Sequence, residues 1–307
     1  MTSLKSEILI DANILRKNIK TIKNKLQKKS KFMAVIKSDA YGHNLSSIVK
    51  DIDDLVDGYG VVRIEEALEI RKQSNKKVLL MQGVYTKEEY ILSKNQKLDL
   101  VIHNNNQFNL IKDEGNHEMF WYKVNTGMNR LGFEIPDFIK IYEKYLTEKQ
   151  FTIMSHLASS NDKDNPANES QFKLFNDLSN KLNKNILKSI ANTGCIMNFP
   201  EFSMDWVRCG IGIYGGYLKD DQLKTAMTLR SPIINIRSIK KGDKVGYDGR
   251  AIAKNDMKIA SVYLGYADGL PVTIKDGTSV MVNDQIAKVF GKVSMDLTTI
   301  DVTNILN

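Results

Sequence analysis

Apolar and polar positions along this chain follow two rhythms. Short, mainly apolar stretches fall at 32–36, 58–62, 78–81, 98–102, 119–124, 151–155, 187–191 and 204–207. Runs of this length, bounded by turn residues, read as strands buried on both faces. Between them lie stretches whose apolar residues recur three and four apart, such as 65–71, 106–112, 136–145 and 169–182, the signature of helices with one buried face. Asp11 stands in the N-cap position of a helix expected over 12–28. Repeated strand–helix units predict a parallel sheet, and eight of them predict a closed (β/α)8 TIM barrel over 1–221. A doubly wound open sheet is the alternative fold, but no G-x-G-x-x-G opens a helix. From residue 222 the rhythm changes to short strands at 245–247, 258–264, 279–282 and 285–290, separated by Gly, Asp and Asn turns. That pattern predicts a smaller all-β domain over 222–307 with no helix of its own.

Composition narrows the classes without choosing among them. The 307 residues, 42% of them hydrophobic, suffice for one large domain and one small one. No apolar run is long enough to span a membrane, and the first residues show no basic-then-apolar leader, so a cytoplasmic protein is expected. Cys195 and Cys209 have neither metal-ligand spacing nor disulfide-rich company, so no metal is expected. The net charge of +8 raises nucleic-acid binding as a class. The lysines are scattered, however, and the densest group, 17–31, shares a predicted helix with Ile19, Ile22 and Leu26. A solvated basic face is the better account, with no nucleic-acid or membrane partner. The charge also favours anionic small molecules.

The chemistry gathers at predicted strand ends. Lys37 follows the first apolar run directly. Read alone it is a lysine reaching solvent. At the rim of an apolar barrel it is also placed to form a Schiff base, because desolvation favours the neutral amine. Arg130, His156, Asn192, Thr193 and Arg208 likewise fall at or just beyond the carboxyl ends of predicted strands, the rim where barrels carry function.

Six segments, in order and spanning positions 34 to 296, resemble the motifs of alanine racemases. They are Ala34-Val35-Ile36-Lys37-Ser38-Asp39-Ala40-Tyr41-Gly42-His43, Lys123-Val124-Asn125-Thr126-Gly127-Met128-Asn129-Arg130-Leu131-Gly132, Ala191-Asn192-Thr193, Val207-Arg208-Cys209-Gly210-Ile211, Leu264-Gly265-Tyr266-Ala267-Asp268-Gly269 and Gly291-Lys292-Val293-Ser294-Met295-Asp296. The resemblance implies a barrel followed by a β domain, which the strand near Glu7–Ile10 would join. It also implies pyridoxal 5'-phosphate as cofactor.

In that reading Lys37 bonds the cofactor and serves as one base, and Tyr266 is the other. A free tyrosine titrates near ~10, so it needs cationic or hydrogen-bonding neighbours to act near neutrality. His156 and Arg208 match the family's network to that tyrosine, with Arg208 facing the pyridine nitrogen. Arg130 matches the arginine near the cofactor's phenolic oxygen and the substrate carboxylate. Lys123 matches a lysine that many members carry carbamylated, holding that arginine. Asn125 stands where the family usually has aspartate, and Asn129 where it usually has glycine. The phosphate is expected among Tyr41, Thr193, Gly210 and Ile211, beside Asn192. Met295, with Asp296, resembles the segment that meets the substrate carboxylate from a partner subunit, which implies a head-to-tail homodimer with composite sites. The sequence ends at Asn307, ahead of a further β segment with a phosphate-contacting tyrosine that members usually have, so weaker phosphate binding is expected. The activity implied is interconversion of L- and D-alanine, supplying D-alanine for peptidoglycan. The alternatives are a racemase of serine or basic amino acids or a decarboxylase on the same fold, and a non-catalytic pyridoxal-phosphate carrier.

Overall fold

The structure, a computed structural model, describes residues 5–27 and 29–305. It forms two compact units, Ile10–Met227 and, separately, the described residues up to Leu9 together with those from Thr228 onward. β1 (Glu7–Ile10) leads into the helix Ala12–Lys23, whose N-cap Asp11 accepts from Asn13 N at 2.8 Å and Ile14 N at 3.2 Å. That helix ends earlier than the periodicity suggested, and residue 28 lies outside the described residues.

The expected barrel is what the larger unit forms. Its strands are β2 (Lys31–Val35), β3 (Gly58–Val61), β4 (Lys77–Leu80), β5 (Asp99–Ile102), β6 (Phe120–Lys123), β7 (Thr152–Met154), β8 (Leu187–Ser189) and β9 (Trp206–Cys209). They run parallel in the order β8-β7-β6-β5-β4-β3-β2-β9. The seam between β8 and β9 carries no ladder. It is bridged by Ser189 Oγ to Trp206 O at 2.9 Å and, just past the end of β8, by Arg208 N to Ala191 O at 2.9 Å.

Successive strand residues alternate between the helical layer and the barrel interior. The inward set of the lower layer is Met33, Leu79, Val101, Trp121, Met154 and Trp206, all buried in one cluster with the two indoles 5.7 Å apart. Burying each such side chain contributes roughly 1.5–3 kcal/mol. Two residues further along the same strands, the inward positions become Val35, Met81, His103, Lys123, His156 and Arg208. An apolar plug therefore supports a polar, strongly basic layer at the carboxyl rim. At the opposite end Asp99 is buried under the plug, paired with Lys77 Nζ at 2.6 Å and accepting from Trp121 Nε1 at 2.8 Å.

The smaller unit is all β, as expected. β11 (Ile233–Ile239), β14 (Met257–Val262), β15 (Ser279–Val282), β16 (Gln285–Val289) and β17 (Thr298–Asp301) make one antiparallel sheet in the order β11-β14-β17-β16-β15. β12 (Lys244–Val245) pairs with β13 (Ala251–Ile252), and β10 (Met227–Arg230) pairs with β1. Its helical pieces among the described residues are the short 3-10 turns Tyr247–Gly249 and Tyr266–Asp268. No helix of the described residues is long and apolar enough to cross a membrane.

The Asp99 arrangement makes a stability prediction. Trp121→Phe keeps an aromatic ring but removes the indole N–H from a buried carboxylate, and should cost about 1–3 kcal/mol. Urea unfolding of the two proteins measures it, and coincident curves would refute the account.

Candidate active site

Lys37, Tyr41, Arg130, His156, Asn192, Thr193, Arg208, Gly210 and Ile211 line one cavity of about 220 Å³ at the carboxyl rim of the barrel. Val35, Met81, Asn161 and Gly194 complete its wall; the sequence analysis had not singled these out. Asn161 had no motif to mark it. Tyr266 and Met295 belong to the smaller unit and are described with it below.

Lys37 begins a rare backbone segment. After β2, Ser38, Asp39, Ala40 and Tyr41 take φ values of 55°, 51°, 53° and 56°, a complete left-handed turn without glycine, and Gly42 follows at 81°. L-residues disfavour this conformation by roughly 1–2 kcal/mol each, so the surroundings must impose it. Ala40 is buried, with its N–H on Ile36 O at 2.9 Å. The Asp39 carboxylate accepts from Leu45 N at 2.7 Å, and Asp39 N donates to Glu66 Oε1 at 3.3 Å. Tyr41 and His43 pack on the Tyr214 ring at 4.9 and 4.5 Å between centroids, and the Tyr214 hydroxyl donates to Val35 O at 3.3 Å. The turn aims Lys37 and Tyr41 into the same cavity from its two ends.

Opposite them, the helix Thr193–Asn198 starts with Asn192 as N-cap, its Oδ1 accepting from Cys195 N at 3.1 Å. The buried Thr193 Oγ1 accepts from Gly210 N at 3.3 Å and Gly212 N at 3.4 Å. Gly210 is required by close approach, since a Cβ there would lie 2.6 Å from the Tyr41 hydroxyl. Two hydroxyls and the backbone of 210–212 thus converge on one corner, where they make a cradle suited to an anion.

The rest of the cavity wall is basic, with Lys37, Arg130 and Arg208 lining it and Lys123 buried outside that lining. Arg208 on β9 is buried, donating from Nη1 to Ser189 Oγ and from Nη2 to Ser155 O at 2.6 Å. Its Nε–H is buried without a partner. Burial draws its guanidinium down to about 10. Lys123, at the inward end of β6, is also buried. Burial first, then Arg208, Arg130 and Lys37, lower its amine to about 8. Among the described residues no salt bridge engages Lys37, Lys123, Arg130 or Arg208.

Arg130 rides on a loop tied by Asn125. Its Oδ1 accepts from Gly127 N and Asn129 N, both at 3.1 Å, while its Nδ2 donates to Asn129 Oδ1 at 2.8 Å and Glu134 Oε1 at 2.9 Å. An aspartate could accept the two backbone bonds, but it could not donate and would repel Glu134. The departure at 125 therefore belongs with Asn129 and Glu134 as one polar set, and the φ of 55° at Asn129 is one that asparagine tolerates well.

His156 sits between donors. Arg208 Nη2 approaches its Nδ1 at 3.4 Å, and Asn192 Nδ2 approaches its Nε2 at 3.5 Å. Burial, with the charges of Arg208, Lys123, Arg130 and Lys37, drives it well below the ordinary histidine range. Burial and the surrounding cations thus favour the neutral imidazole, which can accept from only one of these two donors.

In the smaller unit, Tyr266 opens the turn Tyr266–Asp268. Its N–H donates to Ser294 O at 3.1 Å, and Ala267 N donates to Met295 O at 2.9 Å. Gly265 is obligatory, because a Cβ there would fall 2.1 Å from Met295 O. The Gly265 N–H is capped by Asp268 Oδ2 at 2.9 Å. Tyr266 and Met295 are thereby held side by side, the two residues 39% and 53% exposed. The two cysteines are both buried, at about 12 for Cys195 and about 11 for Cys209, protonated thiols with no acid or nucleophile role near neutrality. Among the described residues no group of three or more His, Cys, Asp or Glu could hold a metal ion.

The environment of His156 yields a direct expectation. At pH ~6, where an ordinary histidine is mostly charged, nitrogen NMR should show the His156 imidazole neutral. A protonated ring there would overturn the charge balance drawn for the cavity.

Residues 10–218 match the family described as alanine racemase, N-terminal domain, and residues 226–307 match alanine racemase, C-terminal domain. An alanine racemase of Shewanella sediminis is 36% identical over 285 residues, covering 89% of this chain and 79% of that protein. One from Alteromonas mediterranea is 35% identical over 315 residues, covering 99% and 87%. Among solved structures, the alanine racemase of Acinetobacter baumannii superposes with a TM-score of 0.93 at 32% identity, covering 99% of this chain and 88% of that one. That of Bartonella henselae, solved with covalently bound pyridoxal phosphate, superposes at 0.86 with 26% identity over 99% and 88%. With both domains matched and relatives above a third identical over most of their length, this chain belongs to the alanine racemase family.

Proposed function

We propose that this protein interconverts L- and D-alanine using pyridoxal phosphate, and that it works in the cytoplasm as a head-to-tail homodimer supplying D-alanine for peptidoglycan. The observation that carries the reading is the Arg208 Nε–H, buried and partnerless in a residue that lines the same cavity as Lys37. A pyridine nitrogen offers the lone pair that this donor lacks. The remaining residues fit the same ligand: Lys37 supplies an amine for its aldehyde, and Tyr41, Thr193, Gly210 and Ile211 supply the corner for its phosphate. Four cationic side chains without a carboxylate suit an anionic cofactor and substrate.

Pyridoxal phosphate, when bound, supplies the electron sink that makes an amino acid's α-proton removable by side-chain bases. The protein's residues divide the other tasks. Lys37 Nζ handles the proton on one side of the α-carbon, and Tyr266 Oη, from the partner copy, handles it on the other. Arg130 and Met295 hold the substrate carboxylate, the arginine through its fork of donors. Arg208 keeps its proton and leaves the ring nitrogen unprotonated. His156, held neutral, passes no net charge toward Tyr266. Lys123 is the carbamylation site: its neutral amine adds carbon dioxide, releases a proton and becomes an anion against Arg130.

L-Alanine incubated with protein and cofactor in deuterium oxide should yield D-alanine carrying α-deuterium. Lys37→Ala should abolish this, and Tyr266→Phe should slow it by about 10²–10⁴, the range of one general acid–base group. No exchange by the wild type would refute the activity. For Lys123, ¹³C-labelled bicarbonate should give a carbamate NMR signal that fades as the pH falls through about 8, where the amine takes up its proton. The same signal in Lys123→Met would assign it elsewhere.

A further inference from the structure

We propose that Glu66 is a positioning residue for the cofactor-bonding lysine. It acts by holding the left-handed turn between Lys37 and Tyr41, and the proposal rests on the reading of Lys37 given above. Glu66 lies in the helix Ile64–Arg71, outside the cavity. Its two carboxylate oxygens do different things. Oε2 accepts from Val62 N at 3.2 Å and Arg63 N at 3.1 Å, at the start of its own helix. Oε1 reaches across to Asp39 N at 3.3 Å, inside the strained turn. The carboxylate therefore ties the end of β3 and the helix after it to the residue two past Lys37.

The turn needs such a tie. Four consecutive L-residues in the left-handed region have a strong local preference to leave it. Two restraints are local in sequence, Ala40 N on Ile36 O and Leu45 N on Asp39 Oδ1. The bond to Glu66 is the one that reaches the middle from another strand–helix unit. A glutamine cannot reproduce it. An amide has one acceptor oxygen, so either Asp39 N or the Val62 and Arg63 pair would face an NH₂ donor. Ser38, Asp39, Arg63 and Glu66 also line an open cavity of about 490 Å³. A bond lost there is replaced by water rather than left buried, so Glu66→Gln is expected to fold. What it loses is the fixed direction of Lys37 and Tyr41, which both line the cavity.

The test measures bond formation rather than turnover. Apoprotein is mixed with pyridoxal phosphate. Lys37 Nζ condenses with the aldehyde, losing water, and the link is trapped by borohydride and located by peptide mass. Glu66→Gln should form the Lys37 link at least tenfold more slowly than wild type, with an unchanged thermal midpoint of the apoprotein. Adding Ser38→Gly, which relieves one strained position, should recover part of that rate. A purely structural role for Glu66 would not produce that rescue. A wild-type rate in Glu66→Gln, or no recovery on adding Ser38→Gly, overturns the proposal. A wild type that forms no link at Lys37 overturns the pyridoxal reading and the proposal with it, so the two failures are told apart. Hydrogen exchange in the unmodified protein supplies a check that needs no variant: the Asp39 amide should be protected at least tenfold over a free peptide, and an unprotected amide counts against the bond.

Discussion

Unanswered positive charge inside the barrel is the constraint on which the rest of the structure depends. Lys123 and Arg208 are buried, Lys37 and Arg130 stand beside them, and no described carboxylate pairs with any of the four. Burying even one unpaired cation is costly. The fold tolerates the arrangement by concentrating apolar burial below it, in the plug around Trp121 and Trp206, and by spending backbone carbonyls and serine hydroxyls on the Arg208 fork. Burial first, and then this same charge, depresses His156 and draws the Lys123 amine to about 8. The lowered histidine and the lowered lysine therefore share two causes, burial and the neighbouring cations.

The barrel and the strained turn solve complementary problems. Parallel strands fix their inward side chains in layers, which brings Lys123, His156 and Arg208 to a common height. They cannot bring a lysine and a tyrosine four residues apart to the same cavity from opposite ends, because a regular right-handed helix would stack those side chains on one face. The left-handed segment 38–41 does this. Its cost is met by contacts outside the segment: Asp39 on Leu45, Glu66 on Asp39, and Tyr214 beneath Tyr41 and His43.

Much of this was legible in the residues. Short apolar stretches located all eight barrel strands, most of them because burial on both faces leaves no polar alternation; β8, with Lys188 half-buried, is the weakest of these signals. The motif segments contain most of the residues that line the cavity, but not Met81, His156, Asn161 or Gly194. The strained turn was not legible, because nothing in Ser38-Asp39-Ala40-Tyr41 signals a positive φ and glycine enters only at 42. β11 went unread although Ile233, Ile234, Ile236 and Ile239 lie within it. Its residues are mostly exposed, so it lacks the simple buried-face alternation that marks a strand. β17, with Thr298, Thr299, Ile300 and Asp301, carries too little apolar signal to separate it from a loop. The helix Leu45–Ile52 was missed for a different reason. Its buried Leu45, Ile48, Val49 and Ile52 have helical spacing, but they follow the Lys37 motif so closely that the segment read as part of the turn.

The departure at Asn125 shows how far a motif match carries. A family pattern with aspartate at this position predicts a loop held by an anion. In this chain Glu134 supplies the carboxylate, Asn125 supplies both donor and acceptor, and Asn129 takes the left-handed position. Asn125, Asn129 and Glu134 act as one polar set that holds the loop presenting Arg130. The carboxylate of this set, Glu134, lies eleven residues past Lys123. The Lys123 amine is lowered chiefly by burial, with the charges of Arg208, Arg130 and Lys37 adding to it.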